Sequence, residues 1–227
     1  MSIRVEVLPF ILASLAAGGV LALLCRAFRV SWSSSAIAGV VLALVACGYM
    51  CWFFRDPERV SPADRDLVVA AADGVVAQIR NMREDKYLKA DCVRVSIFLS
   101  LFDVHVNRAP IAGTSTFLGY FPGKRLFTFD DKSSEVNQHN SILIEGESTR
   151  CLVKQIVGPV ARRVVYWPDP DRPVPLEKGE RIGMMKFGSR LDMYFPADEV
   201  TVTAKVGERV AAGVSVIARV NPRQEAP

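Results

Sequence analysis

The sequence predicts a mostly β (α+β) fold, a flattened β-sandwich of short antiparallel strands carried behind a pair of apolar helices. Three observations predict it. Two long runs near the N-terminus, residues 8–25 (LPFILASLAAGGVLALLC) and 36–54 (AIAGVVLALVACGYMCWFF), contain no charged residue. The rest of the chain is punctuated into short β-branched, alternating segments. Finally, KGERIG at residues 178–183 recurs as VGERVAAG at 206–213, as expected of two related hairpin halves.

The apolar runs come first. A helix rises about 1.5 Å per residue, so each is about long enough to cross a hydrocarbon core of about 30 Å. Neither shows the polar face of a helix on a soluble core. A cleaved signal peptide would account for the first run only, and the second would remain as an anchor. Arg4 precedes the first run, Arg26 and Arg29 lie between the two, and Arg55, Arg59 and Arg65 follow. The balance favours a hairpin with both ends cytoplasmic. Residues 1–54 therefore read as a membrane anchor and 55–227 as one compact domain.

That domain opens with a polar, proline-marked linker, RDPERVSPADRD. In LVVAAADGVVAQIR, two β-branched runs flank Asp73-Gly74, a hairpin signal. CVRVSIFLSLFDVHVN alternates at Val93, Val95, Ile97 and Leu99, so it reads as a strand with one buried face. SILIEGE and VTVTAKV read similarly, and QIVGPVARRVVYW fits either a short helix or a strand.

Composition narrows the chemistry. The net charge of +4 is modest and spread out, which points away from nucleic acid and weakly toward an anionic membrane surface. Five cysteines, three of them (Cys25, Cys47, Cys51) in or beside the apolar runs, leave Cys92 and Cys151 in the domain. No Cys/His spacing marks a metal site, and the usage suits a reducing compartment.

The informative stretch is GMMKFGSRLDMYFP, residues 183–196. The terminal VGERVAAGVSVIARV resembles the hairpins of biotinyl and lipoyl carrier domains, and Lys186 in MMKF resembles their attachment lysine. A carrier hairpin, however, returns at once through an ordinary strand and has no use for FGSRLDMYFP. Gly188-Ser189 has three readings. It is a plain turn, since glycine tolerates positive φ; it is a hydrolase nucleophile, though no Gly-x-Ser-x-Gly elbow surrounds it; or it is a bond the chain cuts itself. In the last case the glycine leaves the scissile carbonyl unshielded and the serine hydroxyl attacks it. β-Elimination of the resulting ester and loss of ammonia convert the serine to a pyruvoyl group.

Self-cleavage needs a base, and the chain has two histidines. His105 follows the alternating strand and precedes Pro110, a location suited to a site edge. His139 lies in a polar loop before a strand and reads as a solvated or capping residue. Asp73 is self-sufficient as a turn residue, and its carboxylate is also of the kind that orients a histidine in a Ser-His-Asp arrangement.

In order along the chain, FFRDPER, AADGVV, LFDVHVNRAP, ARRVV, KGERIGMMKFGSRLDMYFP and VGERVAAGVSVIA together resemble the short, membrane-anchored form of the phosphatidylserine decarboxylase family. The resemblance runs over nearly the whole chain. It implies cleavage between Gly188 and Ser189 into a β chain 1–188 and an α chain 189–227, held together as a heterodimer. It implies a pyruvoyl cofactor made from Ser189, which forms a Schiff base with the amine of phosphatidylserine and withdraws electrons as CO2 leaves. His105 matches the family's triad histidine and Asp73 its triad aspartate, so the resemblance assigns His105 as base and Asp73 as its orienting partner. No metal is implied, and a higher oligomer stays open.

Two departures stand out. Many members carry Asn-Glu-Arg-Asn where this chain has Asn137-Gln138-His139-Asn140, and some carry a second histidine where this chain has Phe102. The segment 120–129, YFPGKRLFTF, combines Tyr120 and Phe121 with Lys124 and Arg125, a composition suited equally to a substrate-facing loop at headgroup level and to a solvated hairpin. The expected location is a bacterial inner membrane, with the domain on the cytoplasmic side. The competing readings are a decarboxylase of another amino-acid-headed lipid and a membrane-tethered carrier or adaptor.

Overall fold

In the computed structural model the chain divides into two compact units, Met1–Glu58 and Arg59–Pro227. Residues 2–128, 133–158, 164–186 and 188–222 are described. The first unit is a helical hairpin of α1 (Leu8–Ala27) and α2 (Trp32–Phe53), closed by the antiparallel pair β1 (Ser2–Ile3) and β2 (Arg55–Asp56). That pairing carries the unit boundary past Phe54, where the apolar run stops.

The two helices meet through small residues spaced by four. Ser14 and Gly18 of α1 and Ser35, Gly39 and Ala43 of α2 are buried there, with Phe53 buried at the end of α2, while Leu12, Leu15, Leu23, Leu44 and Val45 are exposed. The backbones approach so closely that a Cβ on Gly39 would lie 2.5 Å from the Gly18 carbonyl oxygen. Small residues inside and large apolar ones outside is the arrangement of helices packed in lipid. Cation–ring pairs mark both ends, Arg26 over Trp32 at 4.9 Å and Arg55 over Trp52 at 3.7 Å, as at membrane–water boundaries. Both helices are long and apolar enough to cross a bilayer.

The second unit is built from strands. In chain order they are β3 (Leu67–Val69), β4 (Gly74–Glu84), β5 (Ala90–Leu99), β6 (Val106–Arg108), β7 (Gly113–Phe121), β8 (His139–Glu145), β9 (Arg150–Val157), β10 (Val164–Tyr166), β11 (Val174–Leu176), β12 (Arg181–Met185), β13 (Ser189–Pro196), β14 (Val200–Val202), β15 (Arg209–Val210) and β16 (Val216–Val220). A short helix, α3 (Ser133–Val136), precedes β8. An eight-stranded antiparallel sheet has the order β11-β7-β8-β9-β13-β5-β4-β15. Two three-stranded sheets, β10-β12-β6 and β14-β16-β3, contribute Ile182, Val68, Val200 and Ile217 to the same core as Ile97, Ile142 and Leu191 of the large sheet. The segment 155–167, which reads as either helix or strand, is strand on both sides; residues 159–163 lie outside the described residues.

The sequence echo is a repeated turn. In both copies the glycine has positive φ, +80° at Gly179 and +90° at Gly207, which a side chain would oppose. In both, the following glutamate turns back to accept the N–H three residues earlier: Glu180 from Glu177 at 2.8 Å, Glu208 from Lys205 at 3.0 Å. Each turn then opens a strand, β12 in one case and β15 in the other.

The helix contact makes a prediction. Gly39→Leu should lower the stability of the full-length protein in detergent by about 1–3 kcal/mol, the usual cost of overpacking. Gly48→Leu, where an added Cβ meets nothing within 4 Å, should leave the unfolding midpoint unchanged.

Candidate active site

Strand β13 lies at the middle of the large sheet, and Ser189 is its first residue. Its cross-strand partners are Leu99, the last residue of β5, and Val157, the last residue of β9. Ser189 shares its face of the strand with Leu191, Met193 and Phe195, which enter the core. Its side chain is fully buried and its Oγ has no hydrogen-bond partner. Buried hydroxyls are normally satisfied, so such an atom calls for a chemical explanation. Gly188 before it has φ +65°, a conformation open to glycine at little cost.

His105 is fully buried as well. The turn leaving β5 brings it there: the Asp103 carboxylate accepts from the Ser100 N–H at 2.8 Å and the Ser100 hydroxyl at 2.6 Å, and Arg209 donates to it at 2.8 Å. Nδ1 of His105 lies 2.9 Å from the Asp103 carbonyl oxygen. A carbonyl only accepts, so Nδ1 donates and the neutral ring keeps its lone pair on Nε2. The His105 carbonyl in turn accepts from the N–H of Met185, on the strand that leads to Gly188.

The Asp73 carboxylate is held by the linker and by the turn at Ala212. Arg59 grips its carboxylate at 2.5 and 2.8 Å, and the Ala212 N–H donates to it at 2.8 Å. Arg59 also donates to the Ala212 carbonyl. A backbone carbonyl orients the histidine, and the aspartate pins the linker arginine to the turn at Ala212. A bidentate guanidinium is a strong partner for a carboxylate.

Lys186 sits half-buried between β12 and β13. These strands belong to different sheets, so Lys186 is not at the tip of a hairpin, where a carrier lysine would stand.

Several residues at the site carry no obvious mark in the sequence. Gln155 donates to Asn107 Oδ1 at 2.8 Å and accepts from Asn140 at 3.4 Å, while Asn107 Nδ2 is buried without a partner. Asn107 follows His105 by two positions and Gln155 precedes Val157 by two, so this amide chain runs beside both. A Cβ at Gly158 would lie 2.8 Å from the Gly188 carbonyl oxygen and 3.3 Å from the Thr128 methyl. The Gly188 carbonyl thus has a wall of Gly158 and Thr128 that only a glycine leaves in place.

The opposite face of β13 is polar yet buried. Arg190 donates to Asp192 at 2.9 Å, to Ser96 at 2.8 Å and to Gln78 at 3.0 Å, and Arg94 shares Gln78 at 3.0 Å. The loop of residues 137–140 braces the neighbouring strand: Asn137 donates to the carbonyls of Leu126 and Val157, and Gln138 accepts from Tyr120 at 2.9 Å and from Arg125 at 3.4 Å. His139, expected as a solvated or capping residue, opens β8 half-buried, with Nδ1 2.9 Å from the Asn137 carbonyl oxygen, and stacks on Phe121 with ring centroids 5.2 Å apart. Burial holds its ring below the ordinary imidazole range. Lys124 and Arg125 are exposed, as is Tyr120, whereas Phe121 is half-buried; Phe129 lies outside the described residues. A groove of about 540 Å³ lies around Gly113, Gly146 and Lys178, at the other end of β7 and β8, and contains none of these residues.

Comparison with known proteins now adds to the geometry. The sequence profile described as phosphatidylserine decarboxylase matches residues 48–218, which include Asp73, His105 and Gly188-Ser189. The chain belongs to the phosphatidylserine decarboxylase family. Relatives named phosphatidylserine decarboxylase proenzyme include one from Symbiobacterium thermophilum, 43% identical over 89% of this chain and 91% of its own. Another, from Syntrophus aciditrophicus, is 41% identical over 92% and 93%, and one from Geobacter sulfurreducens 40% over 95% of each. No solved structure matches the chain. Family membership does not favour the carrier reading, in line with the place of Lys186.

The buried ion pair gives a prediction. Arg190→Met should destabilise the domain by about 3–5 kcal/mol, because Asp192 is left buried and unpaired. Urea denaturation of Arg190→Met/Asp192→Leu should recover much of that loss.

Proposed function

We propose that the chain converts phosphatidylserine to phosphatidylethanolamine and CO2, using a pyruvoyl group that it makes from its own Ser189. The observation that carries this reading is the buried, unpartnered Ser189 Oγ, placed behind a positive-φ glycine at the tip of a strand held on both sides. A hydrolytic serine would need open access and an elbow. A serine that attacks its own upstream carbonyl needs neither.

In this reading His105, through Nε2, takes the Ser189 hydroxyl proton as Oγ attacks the Gly188 carbonyl. The C–N bond breaks, the amide becomes an ester, and the nitrogen stays on residue 189. Removal of the Ser189 α-proton then expels the Gly188 carboxylate, which becomes the new end of the β chain 1–188. Water replaces the nitrogen of the resulting dehydroalanine, ammonia leaves, and the α chain 189–227 begins with a keto group. The site suits such a group: residue 189 is dry, Gly158 leaves space beside the carbonyl, and Asn107 offers an unused buried N–H. Once formed, the pyruvoyl group supplies an electrophilic carbonyl and an electron sink for decarboxylating an amino-acid headgroup. The protein's own part is to exclude water, orient the headgroup and return a proton, a role this reading gives to His105. Asp73 is the partner that orients and charges His105 in this reading, and it also fixes the Ala212 turn through Arg59.

The two chains remain one heterodimer in this account. The repeated KGER and VGER turns are what supports the likeness to the two-hairpin carrier sandwiches. The apolar helices support an inner-membrane location with the domain on the cytoplasmic side. Tyr120, Phe121, Lys124 and Arg125 border the substrate path.

Ser189→Ala should yield one uncleaved chain that releases no CO2 from phosphatidylserine. His105→Ala should slow processing by about 100-fold or more, the usual contribution of a general base; cleavage at the normal rate, followed on denaturing gels, would remove it from that role. Gly158→Ala should also slow cleavage, since its methyl would press on the Gly188 carbonyl oxygen.

A further inference from the structure

Ser189 is fully buried, yet a lipid headgroup has to reach it, and the connections around it indicate from which side. On one flank β5 ends at Leu99, the partner of Ser189, and the chain turns at once through Leu101 and Phe102. On the other flank β9 ends at Val157, the second partner. Asn137 there bonds both the Val157 carbonyl and the backbone of Leu126, which sets Phe127 next to the strand tip. The residue after Phe127 is Thr128, in the wall against Gly188.

Leu101, Phe102 and Phe127 are 44%, 68% and 61% exposed. Aromatic side chains exposed on both sides of a buried reactive group are not scattered surface residues. Cations accompany them: Lys124 and Arg125 are exposed in the same connection as Phe127, and Arg209 is held at the Phe102 turn by Asp103. Apolar tips ringed by basic groups fit the boundary of an anionic bilayer, where rings enter the acyl region and cations meet phosphates.

We propose that Leu101 and Phe102 on one side, and Phe127 with Lys124 and Arg125 on the other, form a rim that docks into the surface of an anionic lipid bilayer around the Ser189 site. A phospholipid then passes its headgroup sideways to residue 189 while its chains stay in the membrane. This rests on the decarboxylase reading above, and it adds a second docking element to the segment 120–129.

The test uses the full-length protein and the double variant Phe102→Asp/Phe127→Asp. Both are assayed on phosphatidylserine in phosphatidylcholine vesicles and on a short-chain, monomerically dissolved phosphatidylserine. The variant should process normally and turn over the dissolved substrate at the parent rate, while its vesicle rate falls by about ten-fold or more. Lys124→Glu/Arg125→Glu should lower the vesicle rate, most at low salt. An unchanged vesicle rate would overturn the inference. So would equal losses on both substrates together with a change in oligomeric state, which would mark the rim as a contact between copies. If the parent protein turned over neither substrate, the decarboxylase reading itself would fall, and the rim with it.

Discussion

Hydrogen-bond ladders hold β13 on both sides, to β5 and to β9, from its first residue onward, and the site depends on that arrangement. A chain that cuts itself at Gly188 frees the end that must then do chemistry, and a free end in solvent would fray. Here the new terminus would be the start of an interior strand, with Leu191, Met193 and Phe195 packed into the core on one face. The Arg190–Asp192 pair anchors the other face. The strand can lose its upstream covalent bond and keep its position. The same ladders place Leu99 and Val157 beside Ser189.

Burial sets the chemistry as much as position does. The Ser189 hydroxyl, the His105 imidazole and the Asn107 amide are all buried, and polar groups away from water interact more strongly than they would in it. The backbone does much of the orienting: the Asp103 carbonyl fixes the His105 tautomer, and Gly158 leaves room for the Gly188 carbonyl. Dryness also raises the question of entry, which the exposed apolar tips at the mouth answer.

Much of this was legible in the residues. The apolar runs gave the helical hairpin, since uncharged stretches of that length have few other uses, and the alternation of Val93, Val95, Ile97 and Leu99 gave β5. The echo around Gly179 and Gly207 proved to be one turn used twice, down to the glutamate that caps it. Gly188-Ser189 stood out because its neighbours formed ordered blocks. Other features were hidden. Arg190 and Asp192 alternate with apolar residues, so the pattern of β13 reads as a strand with one wet face, whereas that face is covered. Asp73 was easily seen as a turn residue, but no local pattern says that Arg59, across the linker, would claim its carboxylate. Thr128, Gly158, Asn107 and Gln155 meet only through tertiary pairing, so no spacing announces them. His139 looked solvated because its loop is polar, yet the register with Phe121 buries half of it.

The most direct measurement is the intact mass of the full-length protein recovered from cells. The account predicts two chains: one ending at Gly188, and one beginning at residue 189 whose mass is that of a terminal keto group rather than a serine and which reacts with hydroxylamine. A single unbroken chain that still releases CO2 from phosphatidylserine would contradict it.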